Sequence, residues 1–439
     1  MVSDLKVSIS GVRGVYGQNL TLQEVAKFSG LFANMIKSGR CVLARDTRPS
    51  GRIISQVVSA SLMSAGVDVY NLGVAPTPMA FREARKYGAG IIVTASHNPL
   101  EWNGLKFVID GRGLFEKELE SMLASSISLS NSRFGSEYEA RSNYVDEVVE
   151  LAGKGSTPAV GIDAGGGAAC GYAEQMFKKM GLKYQSVNGV AGVSSRGPDP
   201  TADPLADLRS LVTANKLDFG FALDLDGDRL VVVNSNGEKL EPDATLLLCV
   251  ARAVQLGFRN FVTSIDSSVA IAKYVKQHGG RISYSKVGEA NVVSKMLEVG
   301  AEAGGEGSSA GFIMPRFNMC RDGLLAAATI ATLDGKVISD CLAFASQFKQ
   351  IRSKIPADSS VHAAVIARLP EIFKAESLEL LTEDGVKAVI DEDSWVLVRP
   401  SNTEHAIRVS AESKSDRVES LYKRMADKVR QVYDEQKAG

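Results

Sequence analysis

The chain has 439 residues, 23% of them charged and 45% hydrophobic, with a formal net charge of −1. That length exceeds one hydrophobic core and implies three or four domains. The near-neutral charge excludes a general nucleic-acid or membrane-surface role, and 7% aromatic residues are too few for a base-stacking platform.

Five cysteines (Cys41, Cys170, Cys249, Cys320 and Cys341) are scattered and form no C-x-x-C pair. A disulfide framework or cysteine zinc site is therefore not expected, and a reducing cytoplasm is. The start of the chain carries no signal pattern, and no apolar run reaches membrane-spanning length. The expected location is cytoplasmic, with no membrane partner.

Taken in order, residues 41–44 read as a strand that runs into Arg45-Asp46-Thr47-Arg48-Pro49-Ser50-Gly51, then a helix, Gly66, and a second strand over 67–70. The pattern recurs at 159–162, with Asp163, a helix over 172–180, Gly181 and a strand over 182–184. It recurs again at 261–265, with Asp266, a helix over 271–276, Gly279-Gly280 and a strand over 282–284. Each copy is a βαβ unit with parallel strands, so three α/β domains of related design are expected. Gly165-Gly166-Gly167 lacks the G-x-G-x-x-G spacing, because Cys170 stands at the third glycine; a close turn, not a dinucleotide site, is expected. After Gly335 a helical stretch leads to Ile355-Pro356. The remainder, with strands over 388–390 and 395–398 and an amphipathic helix over 416–436, reads as a smaller α+β domain. The expected domains are 1–153, 154–241, 242–348 and 349–439.

Four stretches carry chemistry. Gly90 to Val93 is an apolar strand that stops at Thr94-Ala95-Ser96-His97-Asn98-Pro99. It presents Ser96 at the C-terminal end of a strand, where open α/β sheets hold ligands. A hydroxyl, an imidazole, an amide and the ammonium of Lys106 suit an anion; ordinary turn chemistry is the alternative. Asp224-Leu225-Asp226-Gly227-Asp228-Arg229 lies between two apolar strands. Three carboxylates at alternate positions repel one another unless a hard cation such as Mg²⁺ is bound, and buried flanking strands argue against a solvated loop. Gly304-Gly305-Glu306-Gly307-Ser308-Ser309 offers a carboxylate and hydroxyls for a hydroxyl-rich ligand, or is a surface glycine loop. Arg399-Pro400-Ser401-Asn402-Thr403-Glu404, with Arg408 beyond, can cradle a phosphate or cap a helix.

In this order, the four stretches resemble the α-D-phosphohexomutase superfamily of phosphoglucomutases, phosphomannomutases and phosphoglucosamine mutases. They correspond to its phosphoserine, metal, sugar-recognition and phosphate-binding loops. Gly11-Val12-Arg13-Gly14, Arg45 to Arg48, Asn103 to Lys106, Lys286 to Glu289 and Arg321-Asp322-Gly323 add to the likeness, which spans nearly the whole chain. The resemblance implies an α/β protein of four domains around a central cleft, three related α/β domains plus a C-terminal α+β domain. It implies a phosphomutase that interconverts the 1-phospho and 6-phospho forms of a hexose through a phosphoserine at Ser96 and a bisphosphorylated sugar, with a glucose 1,6-bisphosphate-type activator. Mg²⁺ would be held by Ser96, Asp224, Asp226 and Asp228. Ser96, His97, Arg13, Lys106 and Arg229 are the expected catalytic residues, with Lys106 assisting proton transfer. Glu306 and Ser308 would meet the sugar, and Arg399, Ser401, Asn402, Thr403 and Arg408 the phosphate that does not react. Two departures stand out. Ser309 and Ala310 replace a Gly-His that many relatives carry, and His405 and Asn402 replace a frequent proline and glycine. A haloacid-dehalogenase-like phosphatase with Asp224 as nucleophile, and a non-catalytic sugar-phosphate-binding protein, are the rival readings. The expected partner is a hexose phosphate and not a nucleic acid. The motifs do not rank glucose, mannose and glucosamine, exclude a pentose, or speak to oligomeric state.

Overall fold

The computed structural model describes residues 5–127, 133–400 and 405–438. Three sheets contain the same four-strand unit. In the first, Asp68–Val74, Arg40–Arg45 and Ala89–Val93 run parallel, and Trp102–Ile109 adds antiparallel to Ala89–Val93. The second repeats this order with Lys183–Val187, Ala159–Asp163, Phe219–Leu223 and antiparallel Leu230–Asn234. The third does so with Arg281–Ser285, Asn260–Ser264, Ala303–Glu306 and antiparallel Gly311–Ile313. The sequence repeat thus extends one strand further than its parallel βαβ pattern, and that strand is reversed. The consequence is functional: the connection from third to fourth strand is a hairpin, and each hairpin carries one of the polar loops.

Strands such as Phe219–Leu223 and Leu230–Asn234 form where apolar residues predominate and are covered on both faces, whereas the edge strand Lys183–Val187 is largely exposed. Phe221, Leu223, Leu230 and Val232 join one hydrophobic cluster, and Ala222, Val231 and Val233 join another. The larger cluster also takes in Val42 and Phe81 from the first sheet's layer and Phe261 and Leu325 from the third, so these three units share a continuous core. The helix Gly323–Ala331 is buried along its whole length at their junction, as its all-apolar surface requires.

The last unit has its own core, including Val365, Leu369, Val396, Val398, Ile407 and Val429. Its antiparallel sheet runs Phe348–Pro356, Ala406–Lys414, Ser394–Pro400, Val386–Asp391, Glu379–Leu381, backed by His362–Phe373 and Val418–Ala438. The helix expected to lead to Pro356 ends instead at Ala345, and Phe348–Pro356 is a strand paired along its full length with Ala406–Lys414. Phe348, Ile351 and Ile355 are spaced three and four apart, which mimics a helix face. Ladder pairing to a neighbour overrides that local period.

Candidate active site

The first loop leaves the strand Ala89–Val93 at Thr94. The Thr94 hydroxyl donates to Asp46 Oδ2 (2.6 Å) and accepts the Ser96 backbone N–H (2.8 Å). Ser96 has φ +52°, the left-handed region that non-glycine residues seldom adopt outside constrained sites. Its Oγ donates to Asp224 Oδ2 at 3.0 Å, and the residue is fully buried beneath the second unit, where the turn chemistry alone suggested a surface hydroxyl.

The second loop closes on its own first carboxylate. Asp224 Oδ1 accepts the backbone N–H groups of Asp228 (3.0 Å) and Arg229 (3.1 Å). Asp224, Asp226 and Asp228 are fully buried, and one oxygen from each lies within 4.8 Å of the others. Lys106 Nζ reaches Asp226 Oδ2 (2.7 Å) and Asp228 Oδ2 (2.8 Å), and the Thr77 hydroxyl donates to Asp226 Oδ2 (2.7 Å). Burial and mutual repulsion push Asp224 well above the usual carboxylate range. The same burial acts on Asp226 and Asp228, but Lys106 outweighs it at Asp226, and Arg321 with Lys106 outweighs it at Asp228, so both stay below that range. Burial works against the Lys106 charge too, yet Asp226 and Asp228 raise its pKa above that of an ordinary lysine. Lys106 is therefore held as a cation that donates hydrogen bonds to both carboxylates.

This donor set fits a divalent metal. Among the described residues, Oδ1 of Asp226 and Oδ1 of Asp228 are buried with no hydrogen-bond partner, a costly state for a carboxylate that a hard cation relieves. The outer oxygens, which bond to Lys106, Thr77 and Arg321, fix the carboxylates in place.

The third loop is joined to the second by Arg321, which donates to Asp228 Oδ2 (2.9 Å) and to Glu306 Oε2 (3.0 Å). Glu306 Oε1 accepts the Gly288 N–H at 2.7 Å, and Ser308 lies in the short 3₁₀ turn Gly307–Ser309. Ala310, one of the two departures from the resemblance in the sugar-recognition loop, has φ +52° and packs with Leu205, Val231 and Val233 of the second unit.

His97 Nδ1 lies 3.5 Å from Ser96 Oγ. Burial, then the charge of Arg229, with Arg13 and Arg321 adding to it and Asp199 opposing, depresses its pKa to about 3. The imidazole is neutral near pH 7, and the charges of Arg229, Arg13 and Arg321 acting on it give the neighbourhood of His97 a character that suits an anion. Arg13, on Gly11–Val15, is itself lowered by burial, with Asp226 opposing and Arg321 adding to the shift.

Arg399 lies opposite Arg408 on the neighbouring strand and is 3.5 Å from Asp384. No hydrogen bond or ion pair among the described residues joins Arg399 or Arg408 to the acidic cluster. Ser401, Asn402 and Thr403 lie outside the described residues. Sequence reasoning quoted the stretches that hold Asp46, Arg48, Glu289 and Arg321 but gave those residues no role, and it missed Thr77. Their partners are remote in the chain, so no local pattern marks them.

The four domain families named Phosphoglucomutase/phosphomannomutase, alpha/beta/alpha domains I, II and III and C-terminal domain, match residues 4–132, 142–237, 241–344 and 351–429. The chain is 32% identical over 426 residues to "Probable phosphoglucosamine mutase" of Methanobrevibacter smithii, covering 92% of this chain and 94% of that one. It is 32% identical over 433 residues to "Phosphoglucomutase/phosphomannomutase" of Thermococcus kodakarensis, covering 92% and 94%. A solved structure, a phosphoglucomutase/phosphomannomutase family protein from Burkholderia thailandensis, superposes with a TM-score of 0.82 at 25% identity over 99% of both chains. Membership excludes the dehalogenase-like and non-catalytic readings. With four matched domains in order and relatives aligned along its length, the chain belongs to the phosphoglucomutase/phosphomannomutase family of phosphohexomutases and is a phosphomutase.

Proposed function

We propose that the enzyme moves a phosphoryl group between the 1- and 6-positions of a hexose monophosphate, with Ser96 as the carrier. The observation that carries this reading is the Ser96 hydroxyl at 3.0 Å from Asp224, beside two buried carboxylates whose Oδ1 atoms have no hydrogen-bond partner among the described residues. In the forward half-reaction the P–O bond to Ser96 breaks as a bond to a free sugar hydroxyl forms, and the proton that this hydroxyl loses ends on the Ser96 oxygen. The bisphosphate then turns over, and its other phosphoryl group returns to Ser96. Asp224, Asp226, Asp228 and Ser96 would hold Mg²⁺, which supplies electrostatic neutralisation of the phosphoryl oxygens. Arg13 and Arg229 add positive charge at the same place, and Lys106 keeps Asp226 and Asp228 in position and ionised. His97, uncharged, contributes hydrogen bonding. Glu306 and Ser308 would face sugar hydroxyls, with Arg321 orienting Glu306. Arg399, Arg408, Ser401, Asn402 and Thr403 would grip the phosphate that stays in place.

Relatives named for glucosamine and for glucose or mannose align at the same 32% identity, which supports a hexose phosphate as the class. Five free cysteines support a reducing cytoplasm. Among the described residues, no helix is long and apolar enough to cross a membrane. The test is a panel of glucosamine, glucose and mannose phosphates, run with Mg²⁺ and glucose 1,6-bisphosphate, together with intact-mass analysis. Turnover of at least one hexose phosphate, with one phosphate on Ser96, is expected. An enzyme that turns over these sugars without ever carrying phosphate on Ser96 would overturn the mechanism.

A further inference from the structure

Arg48 is almost completely buried, at 1% exposure, yet it touches none of the charged groups around the acidic cluster. Four of its five guanidinium donors go to carbonyls of the turn from Ser96 to Trp102, and the fifth goes to Asp46. Nη2 donates to the carbonyls of Ser96 (2.6 Å) and Asn98 (2.7 Å). Nη1 donates to the carbonyls of Trp102 (2.9 Å) and Pro99. Nε donates to Asp46 Oδ2 at 3.0 Å, and the Arg48 backbone N–H donates to Asp46 Oδ1 at 3.0 Å. Asp46 Oδ2 also accepts the Thr94 hydroxyl, whose oxygen receives the Ser96 N–H. Five donors meet five acceptors, a match that the three donors of a lysine cannot reproduce.

The arrangement surrounds a residue in a sparsely populated conformation. Such backbone strain persists only where neighbours over-determine it, and here two chains of hydrogen bonds converge on Ser96, one on its carbonyl and one on its N–H. The paired carboxylate of Asp46 cancels the Arg48 charge, so Arg48 adds little to the attraction of a phosphate. We propose that Arg48, anchored by Asp46, is a positioning residue for phosphoryl transfer. It holds the turn from Ser96 to Trp102 so that the Ser96 oxygen meets the reacting phosphorus at one place when phosphate leaves and again when it returns. This rests on the reading of Ser96 as phosphoryl carrier.

The inference separates Arg48 from residues that grip phosphate. A binding arginine raises KM when removed, whereas a lost positioning residue lowers kcat with KM little changed. Arg48→Lys keeps the charge beside Asp46 and loses the fork. In the folded variant, kcat is expected to fall about a hundredfold, the loss that a displacement of roughly 1 Å produces, and KM to stay within about threefold. The rate at which glucose 1,6-bisphosphate phosphorylates Ser96, followed by intact mass, should fall in parallel. A folded Arg48→Lys enzyme with wild-type kcat and phosphorylation rate would overturn the proposal, as would a raised KM at unchanged kcat. Should Arg48→Lys not fold, Thr94→Val carries the test, because it removes only the hydroxyl that spans Asp46 and the Ser96 N–H. A loss of roughly ten- to a hundredfold in kcat, the size of the two hydrogen bonds this hydroxyl makes, supports the proposal, and none overturns it. Failure of the underlying reading looks different: wild-type enzyme itself would then take no phosphate on Ser96.

Discussion

Ser96 Oγ, on the first α/β unit, donates a hydrogen bond of 3.0 Å to Asp224 Oδ2, on the second. The proposed carrier and the acidic loop therefore become one site only when two sheets dock. Other contacts fix that junction: Thr77 N–H to the Asp226 carbonyl (2.8 Å) and the Thr47 hydroxyl to the Gly166 carbonyl (2.8 Å). Gly166 has φ +62°, and a Cβ there would meet the Val193 carbonyl oxygen at 2.5 Å, which accounts for glycine in this close turn.

Ser96→Ala removes the proposed carrier and one hydrogen bond to Asp224. Activity is expected to fall by orders of magnitude, while the cost in stability stays near 1 kcal/mol, that of one hydrogen bond. Steady-state kinetics and urea unfolding check the two halves. Near-wild-type turnover in the pure variant would remove Ser96 from the mechanism.

Lys106→Met takes the ammonium from between Asp226 and Asp228. Both carboxylates remain buried, so apo stability should fall by about 3–5 kcal/mol, the range for breaking a buried ion pair. Divalent metal supplies the missing charge, so Mg²⁺ should protect the variant against urea more than it protects wild type. Equal protection of both proteins would mean that the metal does not sit among these carboxylates.

Arg399→Ala addresses the fourth loop. A charge-assisted contact to phosphate contributes about 1.5–3 kcal/mol, so a ten- to a hundredfold loss, roughly, is expected, mainly in KM. Because Asp384 already pairs with Arg399 at 3.5 Å, Asp384→Ala should act in the opposite direction and lower KM. Loss of kcat at unchanged KM in Arg399→Ala would place that residue at the transferring phosphoryl group instead.

Glu412 supplies a pH signal from the junction of the third and fourth units. It is buried and accepts hydrogen bonds from Trp395 Nε1 (2.5 Å), the Val269 N–H (2.8 Å) and the Ser268 hydroxyl. Burial first, and then Asp243, raise its pKa to about 7. The folded state thus binds a proton that the unfolded chain has released, between the ordinary glutamate value and about 7. The contribution to stability is full below the unfolded pKa and is lost as pH rises through about 7. Lys387, nearby, is lowered to about 8 by burial, with Glu412 opposing. Its contribution is present above the unfolded lysine pKa and is lost as pH falls through about 8. The joint contribution of these two groups to stability is therefore smallest near pH 7–8, and Glu412→Gln should remove its acid-side part from the urea profile. In a Trp102→Phe background, Trp395 emission should titrate near pH 7, and Glu412→Gln should abolish that transition. A flat emission profile would show that Glu412 does not titrate there.

Much of this protein was readable from the chain because its signals are local. Apolar runs closed by glycine, proline or aspartate mark buried strands, and the Asp224, Asp226, Asp228 alternation concentrates charge within five residues, which calls for a cation once its flanking strands bury the loop. Phe348–Pro356 shows the limit of such signals, since its apolar spacing is helical and its ladder partner lies in Ala406–Lys414. The tertiary structure alone decided which groups meet. Ser96 and Asp224 are 128 residues apart, Lys106 and Asp226 120, and Thr77 and Asp226 149. Arg48, 48 residues before Ser96, reads in sequence as one more charged residue in a polar loop. Periodicity fixes which face of an element is buried, but a hydrogen bond between elements depends on how the sheets stack, and that is set by the shared core of the first three units.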